Sequence, residues 1–299
     1  MRLRGAIYLT AAASIWGGMY VASKYALDFV PPLTLLVIRL GIALVIYVGC
    51  VAVSRQWRVD RKHLLLLASL GLVGFTMSLG FQFWGTKLST AHNGGLITSA
   101  SPAFIVLFAR MLLGERLTWQ KAVALGLATA GVLAVLGPEG NAGHGESLWL
   151  GNLYLVGAAV TWALYTVLGK IAGQYYSSLT VAAYATLSGL LFTTPLAWAT
   201  EWQGSAGLAM ATWPAAVWWS IAYVGVISTA VAFYLWVKGF TLLDAGTGSL
   251  FFFAQPVVAA LLGALLLHEH LAWYFYVGAV LIFAGMVVAA RSENTNPQA

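Results

Sequence analysis

The side chains able to do chemistry in this sequence are few, and most of them interrupt long apolar runs. Arg39 lies inside such a run, and Lys24 and Lys170 lie nearer the ends of two others. A cation in an apolar medium is expensive, so each is a functional candidate by default. A lock onto a backbone carbonyl or a neighbouring helix is the plain alternative for Arg39, and Lys24 and Lys170 are close enough to an interface to reach water. Gln82, Thr98, Ser99, Ser101 and Gln255 offer hydrogen bonds without charge. The rings of Trp16, Tyr20, Phe81, Trp162, Tyr165 and Tyr234 offer apolar walls, with Phe83, Trp84, Phe233 and Trp236 beside them. Trp16 and Tyr20 are one helical turn apart, and Trp162 is followed by Tyr165, so each pair stacks rings on one face. An apolar wall with a few convergent polar groups suits a small amphipathic ligand. For any single ring, contact with lipid or another helix explains it as well.

What is missing narrows the chemistry further. The sequence has no His-Glu-x-x-His pair, no Gly-x-Ser-x-Gly elbow and no phosphate-cradling glycine loop ending in Lys-Ser or Lys-Thr, and its one cysteine, Cys50, has no histidine near it. The expectation is therefore not an enzyme, with no cofactor and no metal. Asp28, Asp244, Glu115 and Glu269 all fall at the ends of apolar runs. Proton-coupled carriers commonly route protons through buried acids, so transport without a mid-membrane carboxylate relay is expected.

The elements that must position these groups follow from composition. Of 299 residues, 61% are hydrophobic and 8% charged, against roughly 25% charged in soluble domains. The 15 basic and 9 acidic residues report membrane topology rather than a nucleic-acid partner. Apolar windows of about 18 or more residues are candidate spans. Ten occur, at about Ala6–Tyr25, Leu33–Val53, Leu64–Trp84, Gly94–Leu113, Thr118–Leu136, Leu148–Ile171, Leu179–Ala199, Trp213–Val237, Ala245–Leu267 and Ala272–Ala290. They lack the alternation of barrel strands, so they are helices. The first, with its basic head Arg2 and Arg4, resembles a secretory leader but contains Trp16-Gly17-Gly18 and lacks a small-x-small cleavage site. With the N-terminus inside, twelve Lys and Arg fall on inner segments and only Lys24 and Lys87 on outer ones. Both termini are thus expected in the cytoplasm and the chain in the cell's inner membrane.

The ten runs are two copies of five. Ala91, Pro102 and Glu115 recur as Ala245, Pro256 and Glu269, a constant shift of 154; Trp16 and Lys24 recur as Trp162 and Lys170 at 146; Phe81 and Trp84 recur as Phe233 and Trp236 at 152. The loop after the second span is basic, whereas its counterpart after the seventh has no base. Corresponding loops then face opposite sides, as an inverted repeat of five spans requires. We expect an all-α polytopic membrane protein of ten transmembrane helices in two inverted five-helix repeats: residues 1–137 as the first, 138–147 as an external linker, and 148–299 as the second with a cytoplasmic tail. Pro102 and Pro256 fall in mid-span, where each removes a backbone hydrogen bond and predicts a kink.

Trp16-Gly17-Gly18, then Ser101-Pro102 followed by Leu112-Leu113-Gly114-Glu115-Arg116-Leu117, then Gln255-Pro256 followed by His268-Glu269 resemble the EamA-type members of the drug/metabolite transporter superfamily. Among these, the aromatic-rich chain looks most like bacterial YddG-type exporters of aromatic amino acids. The resemblance implies a central substrate cavity built mainly from the first, third, fourth, sixth, eighth and ninth spans. The expected function is export of small amphipathic metabolites, aromatic and other apolar amino acids first among them, by alternating access. A carrier of phosphorylated or nucleotide-linked metabolites, or a multidrug exporter of cationic aromatic compounds, is the alternative. The expected partners are a small-molecule substrate and the lipid bilayer; the oligomeric state is not readable, and a monomer is compatible.

Overall fold

The computed structural model describes residues 2–88, 97–98, 100–136, 146–203, 213–267 and 273–292. Among these residues the chain is helical and has no strand, and it follows the ten apolar runs. The first five helices are α1 (Arg2–Leu27), α2 (Pro32–Ser54), α3 (61–88), α4 (Ser101–Leu113) and α5 (Trp119–Leu136). The second five are α6 (Glu146–Ala172), α7 (Ser178–Trp202), α8 (Ala215–Phe240), α9 (245–267) and α10 (Trp273–Ser292). The protein is an all-α polytopic membrane protein built as two inverted repeats of five helices.

Five stretches, Pro32–Ser54, Arg61–Gly85, Trp149–Ala172, Ser178–Trp202 and Ala215–Phe240, are each long and apolar enough to cross a bilayer by themselves. Helices are the natural choice there, because lipid offers no partner to a free backbone N–H or C=O. The outward faces are apolar too, with Val45, Leu65, Leu191, Trp219 and Val280 all exposed. Local sequence sets several ends. Pro32 opens α2 at a position whose N–H has no helical partner anyway. Gly114 closes α4 with φ +68, a left-handed conformation that suits glycine. Ser177 and Asp244 cap α7 and α9, their side chains accepting from the N–H groups of Thr180 and Thr247.

The repeat is also written in the backbone irregularities. Helix α3 widens into π-type turns over Gly71–Leu79, and α8 does so over Tyr223–Val231, the same 152-residue shift that relates Phe81 to Phe233. Wide turns leave carbonyls without their usual helical donors, and such bulges concentrate at functional sites. In α3 the wide stretch also carries a close approach: a side chain at Gly71 would meet the backbone nitrogen of Gly189 in α7 at 2.3 Å.

The two prolines break their helices differently. Pro102 stands in the first turn of the described part of α4, after helical residues 97–98 and a turn at Ala100. There it needs no N–H partner. Pro256 lies inside α9, three residues past a 3-10 stretch over Leu250–Phe253. Helices α5 and α10 pack chiefly on each other at the side of the bundle. The other eight form the rest of the bundle. Most of the expected 138–147 linker, and Glu269, lie outside the described residues.

Candidate functional site

Where the two repeats meet in the centre, seven helical segments enclose a cavity. Its walls are Trp16 and Met19 of α1, Arg39 of α2, Ser78, Leu79 and Gln82 of α3, Thr98 and Ser101 at the start of α4, Ala158, Ala159 and Trp162 of α6, Phe233 of α8, and Phe252 and Gln255 of α9. The resemblance had implied six of these helices; Arg39 adds α2. The space open to the centres of water molecules is ≈ 30 Å³, enough for about two waters. An amino acid needs these walls to move apart.

The apolar side is an aromatic cluster. The ring of Trp16 meets Trp162 at 5.0 Å, Trp236 at 5.1 Å and Phe233 at 5.3 Å, in edge-on geometries. Trp162 lies 5.2 Å from Tyr165 and 6.1 Å from Phe252. Such pairs add about 0.5–1.5 kcal/mol beyond their buried area, so the wall is a stiff one.

Helix α8 organises the polar side through its wide turn. The carbonyl of Ser228 accepts the Trp16 indole N–H at 2.9 Å, and that of Ala230 accepts the Tyr47 hydroxyl at 2.6 Å. The Thr229 hydroxyl donates to the Val224 carbonyl at 2.6 Å, five residues back. Donors from the first repeat thus satisfy carbonyls loosened in the second. Against the same turn lies Arg39, fully buried. Its Nε donates to Thr229 Oγ1 at 2.8 Å, its Nη2 reaches Ser228 Oγ at 3.5 Å, and its charge sits 5.8 Å from the centre of the Phe83 ring. Among the described residues no carboxylate lines the cavity.

Of the residues singled out from sequence, Trp16, Gln82, Thr98, Ser101, Trp162, Gln255 and Arg39 meet at this cavity. Tyr165 is buried one layer behind, packed on Phe75, Trp162 and Phe233. Phe81 turns away to Tyr154 and Gly157 in α6. Tyr234 faces the small cluster of Tyr47, Val51 and Ala182. The side chains of Tyr20 and Lys24 lie outside the described residues. Met19, Ser78, Ala158 and Phe252 were not proposed as wall residues from sequence, though a signal existed. Each stands three or four positions from Trp16, Gln82, Trp162 or Gln255, and so shares its helical face.

The EamA-like transporter family matches residues 3–137 and 149–291, once for each half. The chain belongs to that family. It is 27% identical to the uncharacterized transporter YetK of Bacillus subtilis, over 94% of this chain and 85% of the relative. It is 28% identical to a probable terminal-alkyne amino-acid exporter of Streptantibioticus cattleyicolor, over 97% and 95% of the two chains. A solved crystal structure at 23% identity superposes with a TM-score of 0.81, covering 98% of this chain and 99% of the other. That likeness speaks to the fold.

In this EamA-family transporter a second group of charges, half-buried, lies away from the cavity. Glu115, just past the end of α4, accepts the N–H groups of Ala245 at 2.8 Å and Gly246 at 3.0 Å, where α9 begins. Lys170, at the end of α6, stands 3.4 Å from Glu115 and donates to the Leu243 carbonyl at 2.5 Å. Lys121 pairs with Asp244 at 2.7 Å. A carboxylate at a helix N-terminus is favourable because it meets both the free N–H groups and the positive end of the dipole. Here the acid of one repeat caps a helix of the other. A similar staple joins α7 to α2, where Glu201 accepts the N–H groups of Leu33 at 2.9 Å and Thr34 at 2.8 Å. From sequence Glu115 was placed at the end of an apolar run, and Lys170 was a functional candidate close enough to an interface to reach water. Both are engaged with each other.

Proposed function

We propose that this transporter exports small amphipathic metabolites, aromatic and other apolar amino acids first among them, from the cell's inner membrane with both termini in the cytoplasm. The observation that carries the reading is the cavity between the repeats, walled by Trp16, Trp162, Phe233 and Phe252 and furnished with Gln82, Ser101 and Gln255. Rings take the apolar part of such a solute and the amides and hydroxyls take its polar end. The relative named a probable terminal-alkyne amino-acid exporter supports the same class. Alternating access is the natural cycle for a site this enclosed, the inverted repeats rocking about it.

The cavity favours this class over two others. Phosphorylated solutes call for several converging cations, and Arg39 is the one cation among the described wall residues. Cationic drugs would be repelled by it. With no carboxylate in the described wall, the cycle runs as facilitated diffusion or exchange without a buried acid relay. The test is counterflow in proteoliposomes with labelled amino acids, polyamines and sugar phosphates. Counterflow confined to bulky amino acids is the expected result; uptake of only charged solutes, or uphill accumulation driven by a pH gradient, would overturn the reading.

A further inference from the structure

Among the described residues, two buried donors in the cavity wall have no partner: Nη1 of Arg39 and the indole N–H of Trp162. A buried donor without an acceptor is expensive, and for a cation far more so. A structural lock would be expected to use up its donors, as Tyr47 uses its hydroxyl. Arg39 is only half used. Thr229 holds Nε, and because the Thr229 hydroxyl already donates to Val224, its lone pairs are the ones turned to the guanidinium. This fixes one edge of the planar fork and leaves Nη1 over. The hydroxyls of Ser228 and Thr229 and the ring of Phe83 are neutral, so the charge itself is unbalanced by any described neighbour.

The repeat makes the feature more specific. A shift of 146, which carries Trp16 to Trp162, carries Arg39 to Ala185. The charge therefore belongs to no shared scaffold of the two halves, and it gives an otherwise near-symmetric cavity a polar end. Resting on the reading of this cavity as the substrate site, we propose that Arg39 is the residue that binds the substrate's carboxylate, so that the transported class is defined by an apolar tail joined to a carboxylate rather than to an amine. Guanidinium meets carboxylate in a fixed, charge-assisted geometry that a neutral amide does not match. The room for about two waters in the cavity lets solvent hold these donors until a carboxylate displaces it. An ammonium group has no matching site of opposite charge in the described wall and is served by amide and hydroxyl oxygens or by ring faces.

The proposal is tested with three probes that share a phenyl ring: phenylalanine, 3-phenylpropanoate and 2-phenylethylamine. Each competes for counterflow of labelled phenylalanine in proteoliposomes, and each is also scored by the rise it causes in the unfolding temperature of the purified protein. In the wild type the two carboxylates are expected to compete at least about tenfold better than the amine, in line with the strength of a charge-assisted pair. Arg39→Gln should weaken both carboxylates by about 10–100-fold while leaving the amine within about threefold, and Arg39→Lys should fall between. An amine that competes as well as the acids, or an Arg39→Gln protein that loses all three probes equally, overturns the role of Arg39 and leaves the transport reading standing. If the wild type neither exchanges nor binds any of the three, the amino-acid reading falls and this proposal falls with it. The wild-type ranking needs no variant, so a poorly folding substitution does not remove the test.

Discussion

The molecule holds two groups of charge inside its helices, one half-buried and one fully buried, that resolve in opposite ways. At the junction of α4, α6 and α9, Glu115, Lys170, Lys121 and Asp244 answer one another, and Glu115 also binds two backbone N–H groups. At the centre, Arg39 is more deeply buried than any of them, yet among the described residues it has only neutral neighbours and its Nη1 is left over. Paired charges that also bind backbone groups hold a particular arrangement of helices, because separating them leaves several charges bare at once. An incompletely paired charge holds nothing of its own and gains most when a ligand completes it. The first group thus belongs to conformation, and the second to recognition.

The largest effect should come from breaking the paired group. Glu115→Ala removes two caps and leaves Lys170 with only the Leu243 carbonyl, and about 2–4 kcal/mol of stabilisation of this junction should go with it. Two readouts apply: a fall in unfolding temperature, and faster labelling of a Ser101→Cys probe by a membrane-impermeant thiol reagent in a Cys50→Ala background. An unchanged labelling rate would mean that the junction does not control access. Lys170→Met should cost less, about 1–2 kcal/mol, since Glu115 keeps its two N–H donors and the nearby Lys121.

Arg39→Met sharpens the contrast from the other side. Replacing a buried, uncompensated charge by an apolar side chain of similar length is often neutral or stabilising, so its unfolding temperature should change less than that of Glu115→Ala even as carboxylate binding is lost. A thermal loss as large as that of Glu115→Ala would make Arg39 a structural residue. The smallest effect is expected for Thr229→Val, which frees the Nε edge without removing charge. About threefold weaker binding of carboxylates, with little change in stability, is the outcome to look for.

These charges also mark where sequence stopped being informative. The spacing of Ala, Pro and Glu in the two copies reports a repeat, and Glu115 reads as a helix end. Nothing local says that the carboxylate of one copy reaches the Ala of the other, Ala245, across 130 residues of chain. The same limit governs the aromatic residues. Phe81 and Gln82 correspond by the repeat to Phe233 and Tyr234, yet Gln82 and Phe233 face the cavity while Phe81 and Tyr234 do not. Adjacent residues on a helix point about 100° apart, so a modest difference in how α3 and α8 are rotated exchanges one neighbour for the next.

Composition and period determined that the chain crosses the membrane ten times as two related halves. Apolar length and a conserved spacing within one chain are properties that survive without knowing how helices touch, because the bilayer requires each span to satisfy its own backbone. The tertiary structure alone decided which face of each helix is inside. It also decided which carbonyls the wide turn of α8 frees, and that Arg39 lies against that turn rather than beside a carboxylate. Those outcomes depend on the rotation and packing of neighbouring helices, which no single apolar run encodes.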